Sequence, residues 1–167
     1  MAGKASIGNL DDLIRNPVSS NPWDDFSHLQ NPNGSWKVRD DVTLAFNNDI
    51  NQLTVGKGTN GANFGPELEF GQVVGDYFDE PVLIIKAAQG GTDLAVDWRP
   101  ISSGIPPVAY GCGPRLCDSR DYGKLFNEMI SYTNNLLGNL PTKLPQFAGF
   151  NPIISGFVWF QGYNGEF

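Results

Sequence analysis

Histidine occurs once in the 167 residues, at His28. A single imidazole cannot build a multi-histidine metal centre. Its neighbours Trp23 and Phe26 lie in a loop-rich stretch, so His28 reads as a surface or packing residue rather than a catalytic base. Cysteine is nearly as scarce. Cys112 and Cys117, in "YGCGPRLCDS", are separated by four residues with Gly113 and Pro114 between them. That spacing permits a local disulfide, which would imply an oxidising compartment, or two thiols; a zinc site would need two further ligands that the sequence does not supply. Basic residues are outnumbered, 11 against 18 acidic, for a net charge of −7. No Lys/Arg cluster is long enough to follow a phosphate backbone, which argues against nucleic acid as a partner. No apolar run approaches the roughly 20 residues of a membrane span. The opening "MAGKASIGNLDDLIRN" has neither a basic nor an apolar signal region.

What is present suits a folded domain. Hydrophobic residues make up 40% and aromatics 12%, and the length fits one domain. The first third is crowded with Asn, Pro, Gly, Ser and Asp and reads as irregular, with one short strand at Val38–Phe46. In "NFGPELEFGQVVGDYFDE", Pro66 suits a first helical turn, and Leu68, Val73, Val74 and Phe78 recur at a helical period. "EPVLIIKAAQGG" is the clearest strand, five apolar or β-branched residues without polar alternation, the pattern of a parallel strand buried on both faces. A proline-rich loop follows, and from Tyr122 a helix places Leu125, Met129, Tyr132, Leu136 and Leu137 on one face with Gly138 as its stop. "ISGFVWFQG" reads as a second continuous strand. Helices alternating with buried strands predict β-α-β units and a layered α/β fold. There is no internal repeat and no low-complexity tract.

Three places could carry chemistry. Gly90 and Gly91 directly follow the first apolar strand, where bare backbone N–H groups could face a phosphate or a developing oxyanion; the plain alternative is a tight turn. No G-K-[ST] or third glycine follows, which removes the nucleotide-loop motifs. Gln161, at the end of the second run, could donate its carboxamide to the same oxygen, or cap a loop. Trp98 and Arg99 could grip the carboxylate of an acidic sugar, bidentate and with an aromatic wall, or anchor their own loop. Ser102 and Ser103 lack a neighbouring base and any G-x-S-x-G turn. Glu67 could reach an active-site backbone group, although an acidic residue in a first helical turn already answers to the helix dipole.

In order along the chain, "FGPELEFG", "VLIIKAAQGGTDLAVDWRP" and "GFVWFQGYN" resemble the blocks of the sialate O-acetylesterase-like branch of the SGNH hydrolases, a carbohydrate esterase family. The resemblance implies a three-layer α/β/α sandwich with a parallel, flavodoxin-like sheet, here incomplete: one partial domain over residues 1–167. Met1-Ala2-Gly3 would close a G-Q-S-N-M-A-G nucleophile block whose serine lies upstream, and the Asp-x-x-His pair would lie downstream of Phe167. Gly90 or Gly91 would then give a backbone donor to the oxyanion hole and Gln161 a side-chain donor. Trp98, Arg99 and Asn164 would face the substrate, an O-acylated (acetylated) carbohydrate or sialic acid. Neither cofactor nor metal is implied. Gln161-Gly162-Tyr163-Asn164-Gly165 departs from the family's more usual Q-G-E-x-D. Two other readings stay open: a non-catalytic carbohydrate-binding or interaction protein on the same fold, and a flavodoxin-like nucleotide binder with phosphate at Gly90–Thr92. The compartment stays undetermined, with a secreted or periplasmic full-length form as the expectation.

Overall fold

A computed structural model describes residues 3–4, 10–17, 20–21, 25–58, 63–104 and 122–161. Cys112, Cys117, Gly162 and Asn164 fall outside them. The backbone divides into two compact units, Met1–Lys86 and Ala87–Phe167. The fold is mixed α/β, with one small sheet containing a parallel pair.

In the first unit, a two-residue strand β1 (Gly3–Lys4) precedes α1 (Leu10–Arg15), and β2 (Arg39–Phe46) and β3 (Asp49–Leu53) form an antiparallel hairpin. Asn47 makes the turn with a left-handed φ of 55°, a conformation asparagine tolerates better than most residues. Then come β4 (Asn63–Phe64), paired with β1, α2 (Glu67–Tyr77) and β5 (Val82–Lys86). The sheet order is β3-β2-β5, and β5 runs parallel to β2, with Val42 beside Val82, Leu44 beside Ile84 and Phe46 beside Lys86. The expected strands at Val38–Phe46 and in VLIIK are therefore formed, and VLIIK is parallel. It is not buried on both faces, however. All five residues are half-buried, because β5 is the edge of its sheet and only one side is paired.

Leu10, Leu29, Val42, Leu44, Leu53 and Leu68 form the core of this unit. Burying each such side chain is worth about 1.5–3 kcal/mol. The expected helix after Pro66 is present, but its inward face is not the one the apolar pattern suggests. Leu68, Gly71, Gln72 and Gly75 are buried, whereas Val73 is 60% exposed and Phe78 is also exposed. The reason is distance: a side chain at Gly71 would collide with Leu53 and one at Gly75 with Arg39 and Val42, so the helix lies on the sheet through its smallest residues. Arg39 clamps the pair. It donates to both Asp41 oxygens, at 2.8 and 2.5 Å, and to Asp76 of α2 at 2.5 Å.

The second unit is helical. α3 (Lys124–Gly138) buries Leu125 and Leu136, with Met129 and Tyr132 half-buried on the same side, as its spacing predicts. α4 (Leu140–Lys143) continues that stripe through Leu140, and Leu144 and Phe147 extend it. The second expected strand is absent. Residues 151–161 form no strand, and Ile153, Ile154, Phe157, Val158 and Phe160 are exposed. A strand exists through its backbone partners, and no other strand is present among the described residues of this unit. Across the described residues, no helix is long and apolar enough to cross a membrane.

Candidate functional site

The loop after β5 is wired to itself. Thr92 Oγ1 donates to the Gln89 carbonyl at 2.7 Å, and Trp98 Nε1–H donates to Thr92 Oγ1 at 2.9 Å. Asp93 and Asp97 close the turn between them: Val96 N–H donates to Asp93 Oδ1 and Asp93 N–H to Asp97 Oδ2. Backbone bonds from Gly123 to Val96 and from Leu125 to Asp97 dock this turn on the start of α3. The loop is thus a fixed platform rather than a flexible connection.

On that platform Gly90 and Gly91 are exposed, and neither amide donates a hydrogen bond within the described residues. Gly91 has φ +75° with open space around it; backbone conformation, not crowding, is what calls for glycine there. Trp98 is buried and meets Trp159 edge-on, ring centroids 5.7 Å apart at 83°. That contact brings the diglycine loop and the chain's last described run together. Two residues past Trp159, the Gln161 Nε2 is buried and has no hydrogen-bond partner among the described residues. A buried carboxamide donor left unmade costs about 1–3 kcal/mol. Tyr132 carries a second such atom: its hydroxyl is buried without a partner among the described residues, and burial pushes the phenol above its ordinary pKa.

The other residues singled out in the sequence are engaged locally. The Trp98 indole N–H is taken by Thr92, so the ring serves as a wedge inside the loop. Arg99 donates through Nε to the Gly104 carbonyl at 2.5 Å and through Nη2 to that of Ser103 at 2.7 Å, the anchoring geometry. His28, in the first unit, has Nδ1 3.1 Å from the Asp25 carbonyl oxygen and Nε2 3.0 Å from Glu69 Oε2. Both ring nitrogens are committed, and neither contact is a serine or a thiol. His28 lines an open cleft of about 410 Å³ with Lys37, Arg39, Glu69 and Asp76.

Sequence reasoning undervalued one pair. Lys86 Nζ lies 2.7 Å from Glu67 Oε1, and both side chains are largely buried. A lysine ending a strand otherwise apolar was the available signal, since a lone charge there needs a partner. Among the described residues no cluster of His, Cys, Asp and Glu could hold a metal ion. Comparison with family models, with curated proteins and with solved structures finds no match for the chain.

Proposed function

We propose that these residues carry the oxyanion-binding part of a serine-dependent acetylesterase of the SGNH type, acting on an O-acylated carbohydrate. The observation that supports it is the buried Gln161 Nε2, without a hydrogen-bond partner among the described residues, in the same unit as the amides of Gly90 and Gly91, with Trp98 against Trp159 joining their segments. Donors held ready in this way suit a negative oxygen that exists only in the transition state.

In this reading a serine Oγ attacks the acyl carbonyl while a histidine takes its proton. The amide of Gly90 or Gly91 and the Gln161 Nε2–H donate to the oxygen as it becomes negative, the sugar hydroxyl leaves with the proton, and water hydrolyses the acyl-enzyme. The reading takes its serine and its histidine from outside the described residues. The reading therefore requires flanking sequence that supplies them, and it takes the small sheet as part of a three-layer sandwich in which residues 156–160 become a parallel strand. The alternative is a carbohydrate-binding protein without catalysis on the same fold; His28, engaged on both nitrogens, has a part in neither reading.

In-frame codons reading G-Q-S-N ahead of Met1 separate the two at once. In the protein that contains them, Gln161→Ala is expected to lower turnover of an acetyl ester at least about tenfold, with little change in melting temperature. An unchanged rate removes Gln161 from the site.

A further inference from the structure

At the carboxyl ends of the parallel strands β2 and β5, two opposite charges are held out of water. Glu67 is 8% exposed and Lys86 17% in their side chains, and the Lys86 ammonium also sits 4.6 Å from the ring centre of Phe46, its register neighbour on β2. Taking two charges out of water is costly, and an apolar pair of the same volume is often as stable. Stability alone therefore does not account for the pair. What a leucine could not do is hold a backbone group, and Glu67 does: the oxygen that meets Lys86 also accepts the Gly65 N–H at 3.1 Å. Gly65 directly follows β4, and β4 is paired with β1, Phe64 opposite Gly3 and Asn63 opposite Lys4.

We infer that Glu67 and Lys86 are positioning residues that fix the segment 63–65, and through it the strand Gly3–Lys4, at the carboxyl edge of the sheet. Lys86 orients the carboxylate and neutralises it, the carboxylate holds Gly65, and the β4–β1 pairing passes that constraint to the start of the chain. The catalytic consequence rests on the proposed function: there, the residues preceding Gly3 carry the nucleophilic serine, so this pair sets where the serine stands. The positioning itself is independent of the chemistry.

Amide hydrogen exchange on the whole chain tests it. The double substitution Glu67→Met with Lys86→Met leaves no orphaned charge. It is expected to speed exchange at Gly65 and across the β1–β4 pair by about tenfold or more, the scale of one hydrogen bond to a charged group. The amides of Leu44 and Ile84 should keep their protection. Glu67→Gln on the Lys86→Met background, which retains an acceptor oxygen for Gly65 and leaves no lone charge, should restore most of the slow exchange. Unchanged exchange at 63–65, or an equal rise throughout the sheet, overturns the inference. In the esterase-active protein the double variant should lower kcat and leave KM in place. If the protein with its flanking sequence hydrolyses no acetyl ester while the exchange result holds, the esterase reading falls and the positioning role stands.

Discussion

Two runs of this chain are alike as sequence. Val82–Lys86 reads VLIIK, and residues 153–160 read IISGFVWF. The first is a strand bonded to β2 along its whole length and half-buried. The second forms no strand pairing among the described residues, and Phe157 is 70% exposed. Hydrophobicity does not separate them, for the second is the more aromatic. What separates them is a partner. β2 offers an edge of five residues in register, and α2 covers it through Leu68, Gly71 and Gly75, whereas the described residues of the second unit provide helices and loops only. An apolar run is a necessary condition for an inner strand, and the neighbouring backbone supplies the other one.

The largest expected effect breaks the comparison on the strand side. Ile84→Asp puts a charge against the core of the first unit and is expected to destabilise it by at least about 2–3 kcal/mol in chemical denaturation. A loss below about 1 kcal/mol would mean that β5 is not packed as described.

Acid sharpens the contrast less drastically. Arg39, hydrogen-bonded to both Asp41 oxygens, holds the Asp41 carboxyl below the usual carboxylate range. A carboxylate so depressed stabilises the fold above its unfolded pKa of about 3.9, and that contribution disappears as the pH falls through the lower folded value. Asp41→Asn should flatten this part of the acid-unfolding curve while costing under about 1 kcal/mol at neutral pH, since the pair is partly exposed. Residues 144–161 contain no charged side chain, so the second run contributes nothing to the same curve. The smallest effect is on that run: Ile154→Asp, at a site 73% exposed, should shift stability by no more than about 0.5 kcal/mol. A larger loss would show that the run has a partner in solution.

The helices were legible because their signals are local. Pro66 opens α2, and Leu125, Met129, Tyr132 and Leu136 recur at helical spacing in α3. The inward face of α2 was not legible, since any apolar scale ranks Val73 above Gly71 whereas close approach to the sheet selects the smaller residue. β3 was missed because DINQL is polar; its one local signal was Asn47-Asn48, a turn pair after an apolar run. At the candidate site, Gly90 and Gly91 were readable as glycines just past a strand, whereas Gln161 was read at the end of a strand that the described residues do not form. The bond from Trp98 to Thr92 was not, because it depends on how Asp93 and Asp97 close the loop.

Gly91 carries a consequence of handedness. Its φ of +75° lies in the left-handed region, and nothing crowds the place of an L side chain's Cβ. Gly91→Ala should therefore cost about 1–2 kcal/mol although the added methyl has room. At this turn the protein is selective about handedness where it has space to spare.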